Sequence, residues 1–421
     1  MPGLKNWRAA LLQHAATRWG LPLAGAARKA IATLRSEAAR QASRQPRQLL
    51  VDVSIIAAQD AGTGIQRVVR SLLAELLETP PAGYTVRAIR ATRKRPYVYA
   101  DRYLETMTGA PIGDDDPPVQ VRPGDLFLGL DLTSRISPAR QADFLGWHAA
   151  GVRFAFVVYD MLPALHPAWF TPRAVQSFER WLTMLAIHAD ALFCISATVA
   201  GQTRRQPRLA AIPTGWFHLG AELAARQGAG QATADDITPC PAGAPRILMV
   251  GTIEPRKGHA LVIDAFERLW RDGCQASLSI VGRAGWAVEA LTARLAAHPE
   301  SGKRLHWLAG AGDAELARLY ESSDGLILAS EGEGFGLPII EAAAQRLPLL
   351  LRDLPVFREI AGDHASYFSS VTAAELAPRL QQWLEAIAAG TAPDSGAIKT
   401  LSWHESAIQL KSLISRLDAR S

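Results

Sequence analysis

Three glycines and three acids stand together at residues 330–341, SEGEGFGLPIIE. Gly332, Gly334 and Gly336 leave the backbone without bulk, so a ligand can approach it closely. Pro338 marks a helix start near residue 338, because its missing N–H has no intrahelical partner to lose and its φ is already helical. The free N–H groups and positive dipole end of that first turn suit an anion, a phosphate above all. Glu341, expected in the first turn, is placed to accept hydrogen bonds from a diol such as a ribose. Glu333, held in the glycine loop, reaches the group attached beyond the phosphates. In the alternative reading Glu341 only favours the helix dipole and Glu333 is a solvated loop acid; the coincidence of glycines, proline and acids weighs against it.

A second constellation is Gly251–Gly258, GTIEPRKG. A glycine turn with adjacent Arg256 and Lys257 can clamp a diphosphate, the arginine as a planar bidentate donor and the lysine as a compact charge. Alone, such a pair reads as a solvated loop; beside the acidic loop it reads as a site.

Both stretches follow apolar runs, and such runs recur along the chain. Residues 49–56, 84–89, 125–132, 152–160 and 191–196 alternate with helical patterns, and so do 246–253, 276–285, 303–310, 324–330, 347–353 and 365–368. Strand-helix alternation argues for parallel sheets covered by helices. The Gly-, Ala-, Thr- and Pro-rich stretch between the two series reads as a linker. The expected organisation is a leader, 1–47; an N-terminal Rossmann-like acceptor domain, 48–220; a linker, 221–245; a C-terminal Rossmann-like domain, 246–390; and a C-terminal helix region, 391–421, free to pack on either domain. In doubly wound sheets ligands sit at the carboxyl ends of strands, where strand order reverses.

Composition bounds the alternatives. With 421 residues, 48% apolar and 20% charged, the chain is globular and long enough for two or three cores. Cys194, Cys240 and Cys274 are odd in number and lack CxxC spacing, which suggests neither a disulfide framework nor a zinc site and fits a reducing cytosol. Of the net charge of +5, the leader supplies +8 through nine cations against Glu37, so the remaining chain stands at −3. Within the leader Trp7, Leu11, Leu12, Ala15, Ala16 and Trp19 recur at helical spacing, with Lys5, Arg8 and Arg18 largely opposite. Three readings of it stand open: a helix lying on an anionic membrane surface, an extension packed on the body, or an organelle transit peptide. The basic residues lack interleaved stacking aromatics, which argues against a nucleic-acid partner.

The glycine loops and their flanks resemble the C-terminal domain of GT-B glycosyltransferases of family GT4. GTIEPRKG, VGRAG, LHWLAGAGDAELARLYESSDGLILASEGEGFGLPIIEAAAQRLPLL and LPVFREIAGDHASYF carry the likeness over about residues 246–370, with Glu333 and Glu341 matching the motif E-x7-E. DVSIIAAQDAGTGIQRVVRSLL and FVVYDMLPALHP resemble the same family more loosely. The resemblance implies an α/β GT-B fold of two Rossmann-like doubly wound domains facing across a cleft, a nucleotide-sugar donor, retention of anomeric configuration, no metal and no further cofactor. It also implies a peripheral, cytoplasmic enzyme on the inner face of the membrane.

Carried over by position, Glu341 would bind the donor ribose, Glu333 the hexose hydroxyls, and Arg256 with Lys257 the diphosphate. Further donor contacts would fall to Gly251, Thr252, Gly282, Arg283, Leu308, Gly334, Phe335, Gly336 and Leu337. Gly62, Thr63 and Gly64 resemble the N-domain glycine turn that approaches donor and acceptor; the alternative is a tight strand-helix turn. Members often carry Arg after the first glycine of GTIEPRKG, where Thr252 stands here, so the clamp rests on Arg256 and Lys257. Many carry His before Asp near the sugar, where Tyr159 precedes Asp160; Asp160 is favoured over His166 as the contact, and Ser196 is a cleft residue or an N-cap. Asp114–Asp116, lacking a preceding apolar strand, reads as an acidic surface loop and not as a metal-binding DxD. GTIEPRKG, YDMLPALHP and GTGIQR look most like bacterial mannosyltransferases that build O-antigen or exopolysaccharide from GDP-mannose on lipid-linked or growing glycans. A UDP-sugar donor, an epimerase or hydrolase, and a silent nucleotide-sugar-binding module are the rivals.

Overall fold

A computed structural model describes residues 9–15, 22–38, 46–111, 115–222, 240–241 and 243–419. The chain divides into two compact units, Met1–Leu219 with Trp403–Ser421 and Gly220–Ser402.

The first unit is built on a seven-stranded sheet of order β3-β2-β1-β4-β5-β6-β7. Its strands are β1 (Arg47–Asp52), β2 (Tyr84–Arg90), β3 (Val98–Tyr99), β4 (Leu126–Gly129), β5 (Arg153–Val158), β6 (Ala191–Cys194) and β7 (Thr214–Trp216). All pairings are parallel except β2 with β3. Parallel strands covered on both faces read as continuous apolar runs, and Leu49, Leu50 and Val51 of β1 are fully buried. The two strands that the sequence pattern misses, β3 and β7, are the short ones at the sheet's edges.

Two elements that the sequence leaves unplaced are seated in this unit. The helix Trp403–Asp418 packs on the helix Gly64–Glu78, burying Leu410 and Ile414 completely at roughly 1.5–3 kcal/mol each. Its last turn carries Asp418, which receives the Tyr84 hydroxyl at 2.9 Å, Arg47 at 3.0 Å and Arg153, so one carboxylate joins the amino ends of β1, β2 and β5. The expected C-terminal region 391–421 therefore divides, with residues up to Ser402 in the second unit.

The leader is not a free helix in its described part. The helix Pro22–Ala38 lies against the helices Gln141–Ala149 and Pro172–His188, with Ala24, Ala27 and Ile31 in the aromatic core around Phe127, Phe144 and Phe154. Arg28 donates to the Ala189 carbonyl at 2.6 Å, satisfying a group that the end of the helix Pro172–His188 leaves open. Nearer the start, Ala9 is buried and Leu12 packs on the same core, while Leu11 is exposed. Trp7, Trp19, Ala16, Lys5, Arg8 and Arg18 lie outside the described residues. Among the described residues no helix is long and apolar enough to cross a membrane.

The second unit has a six-stranded sheet, wholly parallel, of order β10-β9-β8-β11-β12-β13. These are β8 (Arg246–Val250), β9 (Ser277–Val281), β10 (Leu305–Leu308), β11 (Gly325–Leu328), β12 (Leu349–Arg352) and β13 (Ser366–Phe368). Counted within the unit this is the 3-2-1-4-5-6 order of dinucleotide-binding sheets, whose reversal lies between β8 and β11. Successive side chains alternate between two cores. Ile247 and Met249 join the helices His259–Arg271 and Ala373–Ala388 on one face, while Leu248 joins the helices Asp313–Ser322 and Leu337–Ala344 on the other.

Candidate functional site

The two stretches singled out in the sequence leave adjacent strands, β8 and β11, at the switch point of the second sheet. Residues 76 apart in sequence therefore meet.

After β8 the chain makes a short 3-10 turn, Pro255–Lys257, and then turns at Gly258 with φ +73°. A Cβ on Gly258 would stand 2.4 Å from the Ala329 carbonyl oxygen, so only glycine lets this turn approach the end of β11 so closely. The approach is then fastened by backbone and side chain. Glu331 N–H donates to the Arg256 carbonyl at 2.8 Å, and Arg256 Nη1 donates to the Gly332 carbonyl at 2.9 Å. Lys257 Nζ donates to Glu333 Oε1, with Arg256 Nη1 3.7 Å from Glu333 Oε2. A third acid, Glu254, lies 3.0 Å from Arg256 Nε.

Burial alone would raise the Glu333 carboxyl, but the charges of Lys257 and Arg256 and the hydrogen bond from Lys257 outweigh it and hold it below the usual glutamate value. Glu333 is a carboxylate at neutral pH, and its partners are cations. The Lys257 and Glu333 side chains keep 18% and 15% of their surface exposed, so the pair is screened from bulk water yet within reach of a ligand.

The turn after β9 completes the floor. Gly251 N–H bonds the Val281 carbonyl and Gly282 N–H the Leu308 carbonyl, at 2.9 and 3.0 Å. A Cβ on Gly282 would fall 2.0 Å from the Gly251 oxygen. Trp307 Nε1 donates to the Gly282 carbonyl at 2.9 Å. Thr252 is half-buried here and Arg283 exposed.

The glycine loop after β11 ends at Gly336, the N-cap, and the helix Leu337–Ala344 follows with Pro338 in its first turn. Leu337 is half-buried, while Gly334 and Phe335 are buried, the phenylalanine to 4% exposure; its ring is a packing group and not an open contact surface. Glu341 departs from expectation. It follows the first turn, which holds no acid, and is only 4% exposed, with Oε2 accepting from the Tyr320 hydroxyl at 2.7 Å. The sequence carries no signal for Tyr320 beyond the apolar stripe Leu316–Leu319–Tyr320 that buries its helix.

The expected residues of the first unit are mostly occupied by local structure. Thr63 caps the helix Gly64–Glu78 in a capping box with Gln66, and Gly62 holds φ +66° in the same exposed turn. Asp160 accepts from Leu162 N–H at 2.9 Å, and Tyr159 donates to the Leu130 carbonyl at 2.8 Å. His166 stacks on Trp169 with centroids 3.9 Å apart. Ser196 is buried and caps the helix Ala197–Arg205 through Val199 N–H. Asp116 is paired with Arg90 and Asp115 is exposed; Asp114 lies outside the described residues.

A cluster that the sequence reading missed lies at the carboxyl ends of β1 and β4. Asp52, fully buried, accepts from Ser54 N–H at 3.0 Å, Ser54 Oγ at 2.5 Å, the Tyr97 hydroxyl at 2.9 Å and Thr133 Oγ1 at 3.3 Å. Asp131 accepts from the N–H groups of Ile55, Ile56 and Leu132.

Comparison with known proteins bears on both units. Residues 231–389 match the family described as glycosyl transferases group 1. The chain is 42% identical over 374 residues to a serotype-specific mannosyltransferase, WbdA, of Escherichia coli, covering 86% of this chain and 46% of that protein. It thus spans about half the length of the curated relatives it matches. An O-antigen chain mannosyltransferase, RfbU, of Salmonella typhimurium is 30% identical over 121 residues, 28% of this chain and 33% of that one. Among solved structures, a sucrose-phosphate synthase from Thermosynechococcus elongatus superposes with a TM-score of 0.60 at 17% identity, over 89% of this chain and all of that one. Alr3699/HepE from Anabaena, solved with UDP, gives 0.56 at 14%, over 89% and all of the two chains. At these identities the structural likeness establishes the fold: GT-B, with two Rossmann-like domains.

Proposed function

We propose, from the premise that this chain carries a group 1 glycosyl transferase domain and resembles a serotype-specific mannosyltransferase over most of its length, that the protein is a retaining, metal-independent GT4 glycosyltransferase. It moves mannose from GDP-mannose to a lipid-linked or growing glycan, in the cytoplasm at the inner face of the membrane. The observation that carries the reading is the Lys257–Glu333–Arg256 cluster at the β8/β11 switch point. Two cations that share the Glu333 carboxylate, with Glu254 on the far side of Arg256, form a site that a diphosphate can take over, displacing Glu333 toward the sugar.

In the reaction the bond between the anomeric carbon and the diphosphate oxygen breaks, and the electron pair leaves with the phosphate. Arg256, Lys257 and the N-terminus of the helix Leu337–Ala344 stabilise the charge that develops there. The acceptor hydroxyl forms the new bond on the same face and gives its proton to the departing diphosphate. Glu333, released from Lys257, orients the hexose hydroxyls. Glu341, held by Tyr320, accepts from the ribose.

The test is transfer from GDP-mannose and from UDP-glucose to a mannosylated acceptor, with and without chelator, the product's anomeric configuration being read by NMR. The reading expects α-linked mannose from GDP-mannose at an unchanged rate with chelator. Inverted product, loss of rate with chelator or preference for UDP-glucose would each remove the corresponding part of it.

A further inference from the structure

One group beside the cluster has no role so far. His259 opens the helix His259–Arg271 directly after the Pro255–Lys257 turn and is 1% exposed. Neither of its ring nitrogens makes a hydrogen bond of normal geometry with a described residue. The ring lies against the Gly251 backbone and within electrostatic reach of the Lys257 ammonium. Burial first, and then that ammonium, push its pKa down to about 3, with the Gly251 backbone acting weakly the other way. The imidazole is therefore neutral, with one donor and one acceptor.

Leaving both buried and unmatched is unfavourable. A leucine would fill comparable space without that cost, so packing gives no reason for a histidine here. The surroundings do. The helix has Gly258 as its N-cap and no side-chain cap, which leaves its first N–H groups without a side-chain acceptor. The Gly251 and Ile253 N–H groups are taken by Val281 and Arg283, whereas Thr252 N–H, between them, has no backbone partner among the described residues. The peptide joining Gly251 to Thr252 thus has its carbonyl end near the ring and its N–H unused.

We infer that His259 is a positioning residue of the diphosphate site: its ring N–H engages the Gly251 carbonyl when a diphosphate arrives, and so fixes the next N–H, that of Thr252, on a phosphate oxygen. The inference rests on the diphosphate reading above and extends it to a residue that touches no substrate. A neutral ring serves this role better than a charged one, because it orients the peptide without competing with Lys257 and Arg256 for the anion.

The experiment measures binding of GDP and of inorganic pyrophosphate by calorimetry, with melting temperature, for the wild type and His259→Leu. The expected result is a variant that melts at or above the wild-type temperature but binds both probes about tenfold more weakly, with a raised KM for GDP-mannose and kcat changed less. His259→Gln, which restores an N–H donor, is expected to recover part of the affinity. Unchanged affinity in His259→Leu overturns the inference. Should the leucine variant fail to fold, His259→Met, which is flexible enough to fill the same space, carries the same expectation and the same refutation. A wild type that binds neither probe sinks the diphosphate reading itself, a different failure from wild-type binding that the substitution leaves unaltered.

Discussion

At the β1/β4 junction of the first unit the buried acids Asp52 and Asp131 are met by hydroxyls and backbone N–H groups, while at the β8/β11 junction of the second unit Glu333 is met by Lys257 and Arg256. The two positions are topologically equivalent, each the reversal point of a doubly wound sheet. The consequences for charge are opposite. Neutral donors do not offset desolvation, so burial, with the Asp131 charge adding to it, pushes Asp52 up to about 7 against its hydrogen bonds. Cations do offset it, and Glu333 stays below its usual value. Asp52 is fully enclosed by partners from its own unit; the Lys257–Glu333 pair remains partly open. A closed network fixes loops, and an open ion pair can exchange partners with an anion. On this contrast rests the proposal that puts the chemistry at the second junction and scaffolding at the first.

The sharpest way to break this contrast is to remove the exchangeable charge. Lys257→Ala is expected to lower kcat/KM for the nucleotide-sugar by about 10²–10³, the range seen when one preorganised donor to a developing negative charge is lost. Melting is expected to fall as well, since Glu333 loses its nearest cation in a pair that is more than four-fifths buried, but the variant should remain folded at assay temperature. Steady-state kinetics beside thermal unfolding decide it. A variant that unfolds early yet transfers at the wild-type rate would make the second junction the scaffold.

How far each junction was legible depends on what its residues share with ordinary packing. All eleven apolar runs read as strands contain strands; most are buried on both faces and have no polar alternation to blur them, while β2 is legible by the alternation itself, with Tyr84 and Val86 buried and Thr85 exposed. Val98–Tyr99 and Thr214–Trp216 were not legible, being too short to form a run. Glu333, Arg256 and Lys257 stood out because glycine and proline punctuate their loops. Their meeting was not legible, since it depends on β8 and β11 being neighbours. Tyr320 and His259 were hidden for a different reason: each sits where a helix's buried stripe already accounts for it. Asp52 was hidden because one acid ending a strand has no spacing to read.

The first junction is tested through stability. Asp52→Ala leaves the Tyr97, Thr133 and Ser54 hydroxyls without their acceptor, a loss of about 2–3 kcal/mol for buried groups left unsatisfied. Asp52→Asn keeps the shape and isolates the titration. Because the folded pKa of about 7 lies above the unfolded value of 3.8, the folded state holds more protons between those limits. Stability from this group is fully present below the unfolded value and is lost as pH rises through 7, by at most about 1.4 kcal/mol per pH unit. The wild type should therefore gain on Asp52→Asn as pH is lowered from 8 to 5 in denaturant titrations. A difference independent of pH would mean that the carboxyl is not titrating there.

The smallest expected effect lies at the turn that connects the two readings of the first unit, Gly62–Thr63–Gly64. If this turn is scaffold, its threonine works through the helix it caps. Thr63 Oγ1 accepts from Gln66 N–H, while Gln66 reaches back to the Ala61 and Thr63 N–H groups and to the Gln59 carbonyl. Thr63→Ala should then cost about 1 kcal/mol of stability and change kcat/KM by less than about threefold, the same loss seen for any capped helix far from chemistry. Thr63→Ser separates cap from contact, because the hydroxyl that caps is kept and the methyl that a ligand would touch is gone. Full recovery of both stability and rate in the serine variant keeps the turn on the scaffold side. A stable serine variant with a tenfold rise in KM for donor or acceptor would place a substrate contact at the first junction, and the contrast between a closed and an open switch point would then hold for charge alone.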